Sequence, residues 1–223
     1  MKNTVIERWL NLEKTLIGGN SGGSGESLQT PTRSRSIQDL LKSKSGIHLD
    51  LGGGANPQPN FVNIDIRDLP EVNIVHDLTV FPWPLPNECC NLVMASHLVE
   101  HINPANFGFV NFMDEVWRIC KPGASFMISA PYGFSPGFVQ DPTHCNPINE
   151  TTFAYFDPLN VSRLWHIYKP KPWYYRDIRF DTMWGIEVGL KKHSESEDEW
   201  EQERKKWGPK ELENPKTTPV DWG

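Results

Sequence analysis

The residues best suited to chemistry surround a glycine-rich turn near position 50. Leu49–Leu51 has the pattern of a buried strand and runs directly into Gly52–Gly54. Glycine lacks a Cβ, so this backbone can bend sharply and approach a bound molecule closely. A second apolar segment, residues 62–65, ends on Asp65, whose carboxylate can accept hydrogen bonds from both ribose hydroxyls of a nucleoside. The pattern predicts an adenosine-containing cofactor at the carboxyl ends of two parallel strands.

The same turn argues against a dinucleotide or ATP. The fingerprint G-x-G-x-x-G would place its third glycine where the chain has Pro57. Asp65 also follows too soon, because a dinucleotide site places its acid about 20 residues on. Pro57 and Pro59 leave little room for a helix, and no G-x-x-x-x-G-K-[ST] segment occurs. A phosphate-free adenosyl ligand therefore suits the turn better than NAD or ATP.

Apolar and amphipathic segments alternate through the middle of the chain. The pattern predicts one helix at about 104–119 and strands at 47–51, 62–65, 73–76, 91–95 and 125–130. Such alternation is typical of a doubly wound, mostly parallel α/β sheet. Ligands of these sheets lie in a crevice at the carboxyl ends of the strands.

Taken in order, these segments resemble class I S-adenosylmethionine-dependent methyltransferases, and the small bacterial type 11 branch in particular. The resemblance covers about residues 46–158. It is carried by segments 50–54, 63–65, 76–78, 91–101 and 112–123. In the common form a helix follows the glycine turn, whereas the compact branch has a proline-rich replacement like residues 57–61 here. The resemblance implies a Rossmann-like methyltransferase fold, with further strands near 174–180 and 184–190.

The resemblance also implies the cofactor, S-adenosyl-L-methionine, and the residues that bind it. These are Asp50, Gly52, Gly53, Gly54, Asn56, Asp65, Ile66, Asp77, Leu78 and Ser96. A carboxylate at a strand end is expected to face the surface. Asp65→Ala is therefore expected to weaken cofactor binding and leave the fold intact.

Transfer of a methyl group to oxygen or nitrogen usually needs a base, and two histidines are candidates. His144 is the predicted base, because an imidazole accepts a proton near neutral pH and Asp141 lies close enough in sequence to orient it. The alternative is an Asp–His pair that only fastens the loop over the sheet. His97, at the end of the fourth strand, is the rival base. The neighbouring Glu100 and His101 could instead orient the helix start that follows.

Aromatic residues follow the fifth strand in the same region. Tyr132, Phe134, Phe138 and Tyr155 could bind a sugar ring, a nucleobase or an apolar tail. The alternative is a small core under a long loop, especially for Phe153 and Phe156. Residues 132–145 are expected to close over the methyl donor.

Composition narrows the choice of acceptor and compartment. The formal charge of −6 over 223 residues argues against a phosphate backbone as partner. The favoured acceptor is a small molecule or glycan methylated on oxygen; a nucleic-acid methyltransferase and an inactive cofactor-binding module are the alternatives. The cysteines, at 89, 90, 120 and 145, form no C-x-x-C pair, so no metal site is predicted. Reduced thiols and no apolar run of about 20 residues predict a cytoplasmic protein without a membrane span.

Four regions follow from the patterning. Residues 1–17 form a predicted amphipathic helix, either a lid or packing helix on the same domain or a docking helix for a partner. Residues 18–35 are predicted to be a flexible linker rich in Gly and Ser. The methyltransferase domain is expected at 36–190, starting with a helix capped by Ser36. Residues 191–223 are expected to form a charged tail outside the core.

Overall fold

The computed structural model describes residues 46–206. The predicted helix 1–17, the linker 18–35 and the helix start at Ser36 lie outside the described residues, as does the chain after 206. Within the described part, no helix is long and apolar enough to cross a membrane.

A seven-stranded sheet forms the centre of the described region. Its spatial order is β3-β2-β1-β4-β5-β7-β6. Only β7 runs against its neighbours, because β1 to β5 pair in parallel and β7 pairs antiparallel with both β5 and β6. The strands are β1 Ile47–Leu51, β2 Val62–Asp65, β3 Ile74–Val75, β4 Cys90–Ser96, β5 Cys120–Pro131, β6 Trp173–Phe180 and β7 Gly185–Lys192. The prediction of a mostly parallel α/β sheet is confirmed, and so are the two strands expected after residue 173.

The helices are few and mostly short. They are α1 Gly108–Ile119, α2 Pro136–Val139, α3 Trp165–Tyr168 and α4 Glu197–Lys206, with 3-10 turns at Val99–His101, Ala105–Phe107 and Thr152–Phe156. The buried side of α1 carries Phe112, Met113 and Val116, and the Phe112 ring lies 6.5 Å from that of Phe126 on β5. These spacings of three and four residues place the apolar side chains on one face of the helix.

The crossovers on the β1 side of the sheet contain no helix among the described residues. The connections from β1 to β2, β2 to β3 and β3 to β4 are loops. They are rich in proline, at positions 57, 59, 70, 82, 84 and 86. Proline lacks the amide hydrogen that a helix interior needs. The first crossover lacks a helix, as Pro57 and Pro59 led us to expect, and the helices of the predicted doubly wound arrangement are missing from the other two crossovers as well.

The expectation that the chain leaves the core at Lys191 is wrong for residues 191–206. Strand β7 continues to Lys192, and His193 is fully buried. Helix α4 then packs Trp200 against Trp165, with ring centroids 5.3 Å apart, and the Trp200 indole donates to the Ser194 carbonyl. Glu203 accepts from the Ser194 amide and Arg204 donates to the Leu159 carbonyl, so charged residues attach the helix as well, and charge density alone does not reveal this.

We expect Trp200→Ala to destabilise the protein by about 3–5 kcal/mol, because it removes a buried aromatic side chain. The measurement is the free energy of unfolding from urea titration. Gln202→Ala, on the exposed side of the same helix, should change it by less than about 0.5 kcal/mol. Equal effects of the two substitutions would contradict the packing of α4 on the core.

Candidate cofactor and active site

The glycine turn after β1 depends on the absence of side chains. Gly52 and Gly54 have φ values of +68° and +57°, a region that L-residues with a Cβ adopt at a cost. A Cβ on Gly53 would lie 2.7 Å from both Asn63 Oδ1 and Asp50 Oδ2. The turn is also tied to β2, because the Gly52 amide donates to the Ile64 carbonyl at 2.8 Å. The predicted turn is thus present, and each glycine has a separate steric reason.

Buried polar side chains hold this turn in the absence of a helix. The Asp50 carboxylate is 2 % exposed and accepts from the Gln58 amide at 2.8 Å. The Asn63 side chain donates to the carbonyls of Gly54 and Glu71 at 2.9 and 3.0 Å. Asp50 therefore stabilises the turn through the Gln58 amide. Asn63 on β2 also holds the turn, a role that the sequence pattern did not single out. Asn56, at the tip, is exposed.

Asp65 is buried beneath an arginine and does not face the surface. Its carboxylate accepts from the Gly54 amide at 3.0 Å and the Arg67 amide at 2.8 Å. The Arg67 guanidinium adds two bonds of 3.1 and 3.3 Å. Burial pushes the pKa of Asp65 up, but the bonds from Arg67 and Gly54 outweigh it and hold the pKa below its ordinary value. The expectation of a surface-facing carboxylate is therefore wrong, since only 5 % of Asp65 is exposed.

Arg67 covers the position where a ribose would meet Asp65. A Cβ on Gly54 would collide with the Arg67 guanidinium, so this group lies directly over the turn. The ribose hydroxyls would have to replace its two bonds to the carboxylate. The Arg67 side chain is 59 % exposed, which lets the guanidinium leave without unpacking the core.

The predicted adenine-side residues follow neighbouring strand ends. Asp65 pairs with Val75 across β2 and β3, so Ile66 and Asp77 leave the sheet close together. Ile66 is 64 % exposed and can cover a ring face. The Asp77 carboxylate accepts from the Thr79 hydroxyl and amide, and these bonds lower the pKa of Asp77. Leu78 is buried and its carbonyl accepts from the Trp83 indole at 3.2 Å, so its part is backbone support.

The end of β4 lies beside the glycine turn. Ser96 is the last residue of β4 and pairs with Ser129 of β5. His97 follows with a φ of +54°, a left-handed conformation that is uncommon for a side-chain-bearing residue. A Cβ on Gly52 would lie 3.0 Å from the Leu98 side chain. The candidate base His97 is therefore next to the candidate cofactor site, with its side chain 64 % exposed.

Glu100 lies between the two candidate histidines. Its side chain is fully buried, and its Oε1 lies 3.3 Å from His97 Nδ1 and 4.0 Å from His144 Nε2. The structure thus brings together residues from after β4 and after β5 around one carboxylate. The sequence pattern predicted for Glu100 only a local role in orienting the helix start. The available sign of a role in the site was its position four residues after Ser96, close to the end of β4.

The Asp141 carboxylate does not hydrogen bond to the His144 ring, although the His144 amide donates to the Asp141 carbonyl at 3.3 Å. Its Oδ2 lies 3.8 Å from His144 Nε2, and its other oxygen accepts from the Thr143 amide and hydroxyl. The Thr143 bonds lower the pKa of Asp141. His144 is instead oriented through Nδ1, which lies 2.9 Å from the Phe138 carbonyl. Asp141 acts on Thr143, and Thr143 contacts His101 Nδ1 at 3.0 Å.

The loop after β5 is fastened to the turn after β4. The amides of Cys145 and Asn146 both donate to the Glu100 carbonyl, and the Asn146 side chain donates to the Val99 carbonyl. The Gly133 amide donates to the Ile148 carbonyl at 2.7 Å. These bonds hold both ends of segment 133–146 on the sheet. Its closure over a methyl donor stays a prediction.

The predicted aromatic group divides into two sets. Phe153 and Phe156 are buried and pack edge-on against Phe109, so the core interpretation applies to them. Phe134 is 75 % exposed. The Tyr132 ring stacks on Phe180 and its hydroxyl donates to Glu150; burial and this carboxylate raise the pKa of Tyr132 to about 12.

No protein-family model matches the chain, and no curated protein matches it. Solved structures similar to it include a SAM-dependent methyltransferase from Archaeoglobus fulgidus, with 16% identity, a TM-score of 0.47 and coverage of 82% of this chain and 99% of that one. Another is named a type 11 methyltransferase, from Sulfolobus solfataricus, with 15% identity, a TM-score of 0.43 and coverage of 72% and 92%.

A third is a variant of the 16S rRNA (adenine(1408)-N(1))-methyltransferase from Catenulisporales acidiphilia with cosubstrate SAM, at 13% identity and a TM-score of 0.44, covering 72% and 91%. Similarity at this level assigns neither an acceptor nor a catalytic residue. The expectation that nucleic acid is not the partner therefore stays unconfirmed.

We expect Asp65→Asn to weaken S-adenosylhomocysteine binding about 10–100-fold, because a charged hydrogen-bond partner of the ribose is lost. Asn keeps an acceptor for the buried Gly54 amide, so it tests binding better than Ala. The measurement is calorimetric titration. Asp68→Asn, three residues on and exposed, is the control and should leave the affinity unchanged. Equal affinities of both variants would contradict the assignment of Asp65.

Proposed function

We propose that the protein is an S-adenosylmethionine-dependent methyltransferase of class I, from the compact type 11 branch. The observation that carries the proposal is the convergence of the glycine turn, Asp65 and Ser96 at one edge of the sheet. The strand order reverses between β1 and β4, and ligands of open α/β sheets bind at such a reversal. The loop that replaces the first crossover helix offers no helix N-terminus to a pyrophosphate, which disfavours NAD.

Calorimetric titration of the full chain with S-adenosylmethionine, S-adenosylhomocysteine and NAD tests this proposal. We expect saturable binding of the first two and none of NAD. Binding of NAD alone would contradict the proposal and favour an oxidoreductase. Binding of S-adenosylmethionine without methyl transfer to any of a broad set of labelled-donor acceptors would favour a binding module.

In the proposed reaction an acceptor hydroxyl loses its proton to the protein. The acceptor oxygen then forms a bond to the methyl carbon while the carbon–sulfur bond of the sulfonium breaks, which yields a methyl ether and S-adenosylhomocysteine. The base should lie beside the cofactor, and its side chain should be accessible to a substrate that enters from the solvent. His97 meets both conditions, whereas the His144 side chain is 8% exposed with Nε2 directed at Glu100. We therefore assign the base to His97, whose Nδ1 lies 3.3 Å from Glu100 Oε1.

The proposed acceptor is a small molecule or a glycan methylated on oxygen. The exposed ring of Phe134 and the exposed side chains of Val139 and Trp184 support an acceptor with an apolar or ring face. A nucleic-acid acceptor is the alternative, and transfer of label to RNA or DNA would favour it. Cytoplasmic location and partner docking by residues 1–17 stay predictions.

We expect His97→Asn to lower turnover about 10²–10⁴-fold with little change in cofactor affinity, because the proton acceptor is lost. Asn tolerates the left-handed backbone at this position, so the variant isolates the loss of the imidazole. The measurements are kcat from transfer of the labelled methyl group and S-adenosylhomocysteine affinity on the same samples. His166→Ala, on the surface, is the control. Near-normal turnover in His97→Asn with its loss in His144→Ala would return the role to His144.

A further inference from the structure

We propose that Glu100, His101 and His144 bind a divalent transition-metal ion. Each of the three offers one ligand atom, and these atoms lie within 4.8 Å of one another. In a tetrahedral site with bonds of about 2.0–2.2 Å the ligand atoms are separated by roughly 3.3 Å, so small side-chain movements would close the set around an ion. The sequence prediction included no metal site, because it considered only cysteine spacing.

The state of Glu100 is the main evidence. The side chain is fully buried, and neither carboxylate oxygen has a hydrogen-bond partner. Burying a carboxylate is costly unless it is hydrogen-bonded, paired or bound to a metal. Arg and Lys provide no ion pair to it among the described residues; the basic groups within 4 Å of it are the imidazoles of His97 and His144. A dication between Glu100 and the rings would satisfy this buried charge.

The hydrogen bonds of the two ligand histidines leave the Nε2 lone pair free in each neutral ring. The Thr143 hydroxyl has one hydrogen, which the Asp141 carboxylate can only accept at 2.7 Å. Thr143 Oγ1 must therefore accept from Nδ1–H of His101. Likewise, the Phe138 carbonyl can only accept, so Nδ1 of His144 carries a hydrogen. Nε2 is then the ligating atom of each neutral ring.

Metal-binding histidines commonly donate their second ring N–H to a carbonyl or a carboxylate-linked group, which fixes the ring and its tautomer. Both rings here have that arrangement. It distinguishes them from His97, whose Nδ1 faces Glu100 itself.

The ligand set indicates the type of ion. Two imidazole nitrogens and one carboxylate form a three-ligand site with an open position, as in catalytic rather than structural zinc centres. Nitrogen ligands favour Zn²⁺ or a related first-row ion over Mg²⁺, which prefers oxygen. His101 is exposed, so the open position can be reached from solvent.

The site adjoins the candidate cofactor crevice, because Leu98 links it to Gly52. If the proposed methyl transfer is correct, on which this part rests, the ion would bind the acceptor oxygen and lower its pKa beside His97. The acceptor class would then be a hydroxyl compound that can place one oxygen on the metal.

The test is titration of the chelator-treated full chain with Zn²⁺ and, separately, Mg²⁺ by calorimetry. We expect one equivalent of Zn²⁺ to bind and Mg²⁺ to bind much more weakly. His101→Ala and His144→Ala should lose this binding. Thr143→Val removes the hydroxyl that supports His101, together with its bond to Asp141, and should weaken the binding about 10–100-fold. His166→Ala and Cys145→Ser should bind as the wild type does.

Two further measurements make the outcome decisive. Co²⁺ should bind with visible bands but without the intense thiolate charge-transfer band that cysteine ligation would produce. S-adenosylhomocysteine affinity, measured on the same samples, should be unchanged in His101→Ala, which also shows that this variant is folded. Zn²⁺ binding that survives in both histidine variants, or a thiolate band lost in Cys145→Ser, would overturn the proposal. Metal binding without S-adenosylhomocysteine binding would sustain it and contradict only the proposed function.

Discussion

Parallel pairing of β1 with β4 places Leu51 beside Ala95, so the chain leaves both strands at the same edge of the sheet. The glycine turn follows one strand and His97 follows the other. Because the strand order reverses between β1 and β4, the two connections diverge and leave a crevice between them. Every group discussed for cofactor or acceptor depends on this register. A slip of one residue would turn each side chain to the opposite face.

The missing first crossover helix has consequences for the whole cofactor side. Asp50 and Asn63, both buried, provide the bonds that hold the turn, and they leave no room for a Cβ on Gly53. Asp65 is then committed to the Gly54 amide and to Arg67. Buried polar groups thus stabilise a short loop at the position where a crossover helix would otherwise pack. In the proposed function, the cofactor ribose would have to compete with Arg67 for the Asp65 carboxylate.

On the other side of the crevice, a buried carboxylate organises residues from two connections. The Glu100 carbonyl accepts the amides that fasten the loop after β5, while its side chain lies between His97 and His144. The same residue therefore joins the loop to the sheet and concentrates negative charge near the candidate methyl-transfer site. This arrangement places Glu100 and His144, which are far apart in the sequence, in one candidate site.

The sequence alone determined the strands, the glycine turn and the acid at Asp65, because these depend on local backbone geometry and on a period of burial. It also excluded a helix after the turn, since proline acts locally. Only the tertiary structure decided what Asp65, Asp141 and Glu100 do. His144 is brought to Glu100 from another loop, and the pairing of side chains across loops has no periodic signal. Arg67 and Thr143 lie only two residues from Asp65 and Asp141, but the path of each loop decides that they become the partners. The burial of Trp200 was missed for the same reason: a single aromatic residue among charges becomes a core residue only when Trp165 is brought to meet it.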